Sequence, residues 1–534
     1  MRSHAARYQE IAETLARHGL ASLLDAAGLR FGNPRAAEHV RLALEELGPT
    51  FVKLGQVLST RPDLIPEPFL TELAKLQDGA RPVPAEEIHD VIRLELGADP
   101  ADLFAWFQSE PLASASIGQA HLARLPDGTD VVVKVRRPGA VEQVEGDLEI
   151  LRDLADRASR TWKAARAYDL RGLVQEFSRT LRAELDYVQE GRNAERFATN
   201  FARRPGVRIP RIFWDLTTPR VLTLERMSGM KITDLTALDE AGVDRKALAK
   251  SGATIMLQMI FDDRFFHADP HPGNLFVAPS GSISLIDFGM VGEVADDLAD
   301  HLTTFLVAFT FQDPDALTAS VLDLSATKGS IDREALHDGI VSFVSEYEGR
   351  PLREIGLTRL APHLFSLFRA QHLQLPREIA LIFKVLVVIE GIGVRLDPDF
   401  DLFAVLRPFV QQLLQKQMSF TSVARRLAQA STDAGGLLLE LPGHVRRLLA
   451  IAETSGVDVH LRAAELEPLM RRAERIGDRV VAGMIAAALI GGVGDLVAGG
   501  KRWRSWRSAL MGAGIAGIGT LLGYLLWTER RRPR

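Results

Sequence analysis

Cysteine is missing from this sequence altogether. That excludes disulfides, iron–sulfur clusters and thiolate zinc sites, and it fits a reducing compartment. A strong charge of one sign is missing too. Lys and Arg number 64 against 69 Asp and Glu, a net −5, and no polybasic segment has the size expected of a nucleic-acid binder. The N-terminus lacks an unbroken apolar run, because Glu10 and Glu13 interrupt "MRSHAARYQEIAETLARHGL". This segment reads as an amphipathic helix, not a signal peptide. No internal repeat with a period of about 20–50 residues is found.

What is present is a globular composition, 46% apolar and 25% charged over 534 residues, which implies more than one domain. Near the C-terminus, "SALMGAGIAGIGTLLGYLLW" (Ser508 to Trp527) carries no charge and is followed by Arg530, Arg531 and Arg532. At about 1.5 Å per residue this length covers the ~30 Å hydrocarbon core of a bilayer. Gly512 and Ala516, then Gly519 and Gly523, stand four apart, a spacing that lets helices approach closely and would allow two copies to pair. A shorter apolar stretch, Val480 to Gly494, is either a second span or a membrane-dipping helix. Basic residues flank both stretches, so the positive-inside rule does not orient them.

The remainder divides into a small strand-rich part and a larger helical part, an α+β order. Residues 1 to about 105 read as helical, with a break at "STRPDLIPEPF". "GQAHLARL" and "DVVVKV" read as strands around the turn signal Pro126-Asp127-Gly128. One long helix is expected over roughly 169–201, "VRIPRIF" and "PRVLTLERM" as strands, and a helix over about 235–262. "LFV" and "SISLID" should form a hairpin, followed by helices to 416 broken at Pro362 and Pro376.

The chemistry centres on "FFHADPHPGNLFVAPSGSISLIDFG" (Phe265 to Gly289). Phosphoryl transfer from ATP needs a phosphate-covering loop and a lysine for the phosphates. It also needs an Asp to orient the attacking hydroxyl, and an Asn and a second Asp to hold the metal. "HADPHPGN" fits H-x-D-x-x-x-x-N, so Asp269 is the candidate orienting acid. Asn274 and Asp287 are candidate Mg²⁺ ligands, oxygen donors that suit a hard cation. Lys134, in "VVVK", is the candidate phosphate lysine. The alternative is a zinc site, since His267, Asp269 and His271 alternate as on one face of a strand. Pro270 and Pro272 would interrupt such a ladder, and Asn274, the D-F-G and Lys134 would go unexplained.

Together with three further motifs, these residues resemble the UbiB/AarF (ADCK-like) family of atypical protein-kinase-like proteins over roughly residues 45–400. "KLGQ" carries the family's K-x-G-Q motif in Lys53 and Gln56, and "ELDY" its E-x-D motif in Glu184 and Asp186. "LASASIGQAH" resembles its Ala-rich loop, with Ala113, Ser114, Ala115, Ser116, Ile117 and Gly118 over the nucleotide. Read locally, that loop could equally be a helix start capped by Ser114 or Ser116.

The resemblance implies a two-lobed kinase-like fold binding ATP and Mg²⁺, with Glu190 as the acid paired to Lys134. It implies that Asp186 and Glu190 face the nucleotide, and that an N-terminal extension lies over the active site and brings Lys53 to Glu184. The expected divisions are an extension at 1–105, an N-lobe at 106–230, a helical C-lobe at 231–416, a linker at 417–479 and a membrane anchor at 480–534. Ala268 replaces the Arg of H-R-D, and no activation loop or A-P-E follows the D-F-G. ATP hydrolysis, or phosphorylation of a small or membrane-borne molecule, is therefore expected over protein phosphorylation.

By resemblance the expected role is support of ubiquinone or related prenyl-quinone biosynthesis at a bacterial inner membrane. The kinase-like domain would be cytoplasmic, and the partners would be membrane lipid, quinone precursors and quinone-biosynthesis proteins. The alternatives are a small-molecule phosphotransferase of the aminoglycoside- or choline-kinase type and a pseudokinase scaffold.

Overall fold

Val131, Val133 and Val135 alternate with polar or half-exposed neighbours, the pattern of a strand with one buried face. The computed structural model describes residues 4–19, 34–76, 81–161, 169–204, 206–310, 312–327, 331–347 and 356–417. Its strands are β1 (Trp106–Phe107), β2 (Ala113–Ser114), β3 (Gly118–Arg124), β4 (Asp130–Arg136), β5 (Val207–Arg208), β6 (Val221–Glu225), β7 (Met230–Lys231), β8 (Phe265–His267), β9 (Leu275–Val277), β10 (Ile283–Leu285) and β11 (Val291–Glu293).

The first sheet runs β1-β3-β4-β6, with β2 also paired to β3. The three valines of β4 are fully buried against the Ala85–Leu96 helix, through Ile88, Val91 and Ile92. Lys134 lies between Val133 and Val135, so it points from the opposite face. Its register partners are Ala120 on β3 and Leu222 on β6.

A second cluster joins the N-terminal helices to the N-lobe. Leu44, Leu47, Phe51 and Leu73 pack with Val144, Leu148 and Leu151 of the Ala140–Thr161 helix, which the sequence reading did not anticipate, and with Phe177 and Leu181. The third and largest cluster is the helical lobe, centred on the Arg245–Phe261 and Arg377–Leu396 helices. The sheets β5-β10-β9-β7 and β11-β8 carry the 265–289 segment.

Several expectations change. The single helix over 169–201 is two, Leu170–Glu184 and Tyr187–Phe201. Asp186 is extended between them and accepts the Val188 N–H, so it starts a helix and does not sit within one. Asp186-x-x-Gln189 is a capping-box pattern that could have signalled this start. The 235–262 segment likewise splits, into Leu235–Glu240 and Arg245–Phe261, each capped by an Asp. Of "VRIPRIF" only Val207–Arg208 is a strand, parallel to β10 in the C-lobe sheet, with Ile212 making an isolated bridge to Leu224.

Pro362 does not break its helix, which runs Leu357–Ala370. The buried face of Leu360, Ala361, Leu364, Phe365 and Phe368 offsets the one lost hydrogen bond. The hairpin of β9 and β10 and the helix start at Pro376 are found as expected. Val480–Gly494 and Ser508–Trp527 lie outside the described residues. Among the described residues no helix is long and apolar enough to cross a membrane.

Candidate functional site

Glu190 stands in the first turn of the Tyr187–Phe201 helix, where the Asp186 cap fixes the direction of the helix. Lys134 Nζ lies 2.5 Å from Glu190 Oε1. The same oxygen accepts the Phe288 N–H at 3.4 Å, and Asn193, one turn on, donates Nδ2 to the Phe288 carbonyl at 2.9 Å. One helix therefore holds both Lys134 and the D-F-G segment. Sequence reasoning missed Asn193, although its i+3 spacing from Glu190 puts both on one face.

Asp287 bends back so that its Oδ1 accepts the Gly289 N–H at 3.0 Å. Burial alone would raise its pKa. The Lys134 charge, the Gly289 N–H, His267 and Lys53 outweigh burial and bring it down to about 2. Burial pulls Lys134 the other way, towards its neutral form, but the charges of Asp287 and Glu190 keep the ammonium above the ordinary lysine value. Burial raises the Glu190 carboxyl above its usual value despite the Lys134 charge, so Asp287 is the firmly ionised acid of the site.

The catalytic-loop segment is folded on itself. The Asp269 N–H donates to His267 Nδ1 at 3.1 Å, and the Gly273 N–H donates to His271 Nδ1 at 3.1 Å. Both histidine Nδ1 lone pairs are thus spent on backbone amides of the loop itself, which braces it. His267 is buried beside Phe197 and Phe288, with ring centroids 6.3 and 6.1 Å away. Asn274 Nδ2 donates to the Asp269 carbonyl at 3.4 Å, which leaves the amide oxygen for another partner. Asp269 Oδ1 meets Lys384 Nζ at 2.9 Å. Burial tends to raise the Asp269 pKa, but Lys384 outweighs it and holds the carboxyl below its usual value. Sequence reasoning missed Lys384, and no local motif marks it.

The Ala-rich loop is a tight β-turn and not a helix start. Ala113 and Ser114 form β2, and the Ala115 N–H closes onto the Gly118 carbonyl at 2.8 Å. Arg137 pins the turn through the Ala115 carbonyl at 2.9 Å and Ser114 Oγ at 2.7 Å. Ser116 is buried, and Ile117 packs into the same cluster as Phe51 of the extension. Gly118 is required sterically: a Cβ there would stand 2.1 Å from Tyr187 Oη and 2.8 Å from the Val135 carbonyl.

Lys53, on the Pro49–Ser59 helix, lies 3.0 Å from Glu184 Oε2, so the two motifs do meet. Two predicted side chains are engaged otherwise. Gln56 donates to the Leu76 carbonyl at 3.2 Å, and the exposed Asp186 serves as the helix cap.

These residues fit ATP and Mg²⁺. Asp287 and the free oxygen of Asn274 are hard donors, and Lys134 sets a positive charge beside Asp287. A cavity of about 430 Å³ opens beside Gly289, lined by Glu176, Arg179, Thr180, Gln189 and Arg377. Neither this cavity nor a more open one of about 510 Å³, at Phe201, Arg208 and Met227, is lined by a predicted site residue.

Comparison with known proteins places this geometry. The ABC1 atypical kinase-like domain matches residues 75–321, and the UbiB helical domain matches residues 340–401. The chain is 35% identical over 502 residues to a protein of Marinobacter nauticus described as a probable protein kinase UbiB, covering 90% of this chain and 89% of that one. It is also 35% identical over 442 residues to an uncharacterized protein of Synechocystis, covering 82% of this chain and 76% of that one. Among solved structures, the Rv3197–erythromycin complex from Mycobacterium tuberculosis is 24% identical with a TM-score of 0.48, covering 74% of this chain and 97% of that chain. The chain thus belongs to the UbiB family of ABC1 atypical kinase-like proteins.

Proposed function

We propose that this chain is an ATP-dependent enzyme that hydrolyses ATP, or passes its γ-phosphoryl group to a small or membrane-borne acceptor, in support of prenyl-quinone biosynthesis. The observation that carries the reading is the single helix that grips Lys134 through Glu190 and Phe288 through Glu190 and Asn193. In this reading Lys134 neutralises the α- and β-phosphates, and the turn from Ala113 to Gly118 covers them. Asn274 and Asp287 would hold Mg²⁺, which supplies positive charge to the β- and γ-oxygens. Asp269 orients the acceptor O–H. The acceptor oxygen bonds to the γ-phosphorus while the bridging P–O bond breaks. ADP leaves with that electron pair, and the acceptor proton passes through Asp269 to solvent.

The pair of Lys53 and Glu184 puts the extension beside this site, which supports a small or lipid acceptor over a peptide. The C-terminal apolar stretches supply the membrane anchor, and two copies pair through them.

The test is thermal unfolding with ATP and Mg²⁺, with ATP and EDTA, and with neither, together with phosphate release. The wild-type protein should be stabilised only when ATP and Mg²⁺ are both present. Equal stabilisation by ATP in EDTA would remove the metal assignment. A normal quinone pool after gene deletion would remove the pathway.

A further inference from the structure

The segment His267–Asn274 contains no lysine or arginine, and the residue before Asp269 is the fully buried Ala268. The cation beside Asp269 comes from far along the chain. Lys384 belongs to the Arg377–Leu396 helix, inside the stretch matching the UbiB helical domain. Its neighbours Leu381, Ile382, Phe383, Val385 and Leu386 are all buried, while Lys384 itself is 25% exposed and reaches the 38% exposed Asp269. A half-buried ion pair of this kind contributes modestly to folding. Lys384 is the one charge in the apolar run 379–389 at the middle of the helix, which calls for another reason.

Both ends of the helix are held. Just before it, Leu375 exchanges both backbone hydrogen bonds with the buried Arg61–Asp63 pair of the extension. Towards its far end, Glu390 accepts the Leu357 and Thr358 N–H groups, both at 2.7 Å. The Lys384 stem is thus fixed in position relative to the cleft.

We propose that Lys384 is a positioning residue for Asp269. It holds Oδ1 so that Oδ2 is left for the acceptor hydroxyl. The helical domain thereby completes a catalytic loop that has no cation of its own. This inference rests on the ATP-site reading above.

The test compares wild type, K384M, K384R, D269N and the double variant D269N/K384M. It measures kcat and KM for Mg–ATP by phosphate release, and thermal unfolding with and without Mg–ATP. K384M should lower kcat about tenfold to a hundredfold, the range for a misplaced orienting group. Its KM and its Mg–ATP-induced shift in Tm should stay near wild type. K384R should recover part of the rate. The double variant should be no slower than D269N, because Lys384 acts through Asp269.

A K384M variant with wild-type kcat, or losses that multiply in full in the double variant, overturns the role of Lys384. In that event an intact Mg–ATP shift leaves the ATP site standing. A wild-type protein with neither hydrolysis nor a Mg–ATP shift overturns the ATP-site reading and the role of Lys384 with it.

Discussion

Lys53 and Glu184 meet at 3.0 Å across 131 positions of chain, and both are largely buried, with side chains 16% and 10% exposed. Lys53 also contributes to the low pKa of Asp287, so its charge is felt at the D-F-G segment. The pair joins the extension to the N-lobe at the rim of the site. K53M removes one side of this largely buried ion pair and should destabilise the protein by about 2–4 kcal/mol. K53M/E184M should recover part of that loss in urea unfolding.

Asp287 should be indispensable for the metal-dependent part of nucleotide binding. Saturation to about 100 times Kd adds roughly 2.7 kcal/mol of stability. D287N should lose the Mg²⁺-dependent shift in Tm and should still fold, because the Gly289 N–H finds an acceptor in the amide oxygen. Thermal unfolding with and without EDTA checks this.

Asp63 is fully buried and accepts both the Arg61 guanidinium and the Leu375 N–H, the latter at 3.0 Å. D63A strands a buried arginine and should cost about 3–5 kcal/mol. D63N keeps an acceptor for Leu375 and should cost less. The urea midpoint measures both, with the m-value reporting whether the extension detaches separately.

Gly118 should tolerate no side chain. G118A brings a Cβ against the Val135 carbonyl as well as Tyr187 Oη, and should cost about 1–3 kcal/mol. Y187F removes only one of these contacts, so G118A/Y187F should recover only part of the loss.

Two buried histidines predict acid sensitivity. Burial lowers the pKa of His121 and of His267. In the unfolded chain they titrate near ~6.5. Below that value the unfolded state binds more protons than the folded state, so stability falls as pH falls. The contribution is fully present above about pH 6.5 and is lost progressively below it. H121Q should flatten the slope of stability against pH between roughly pH 7 and 5.

Much of the site was legible because kinase-type chemistry requires particular side chains at short spacings. Asp269 and Asn274 share one loop, Asp287 follows one hairpin later, and Lys134 ends the run V-V-V-K. Elements with a local cause, such as the hairpin of β9 and β10, were equally readable. The break between Glu184 and Tyr187 was not read, because a capping side chain competes with helix propensity over only a few residues. Pro362 was misjudged for the opposite reason, since burial of a whole helical face outweighs one missing hydrogen bond.

By itself the sequence determined which groups could carry the chemistry and in what order they occur, since those depend on local spacing and side-chain type. Only the tertiary structure decided which of them meet. It brought Lys53 to Glu184, turned Gln56 and Asp186 to other hydrogen bonds, and delivered Lys384 to Asp269 from 115 residues away. Such meetings follow from how helices pack around shared apolar clusters, and packing between distant segments leaves no periodic trace in the chain.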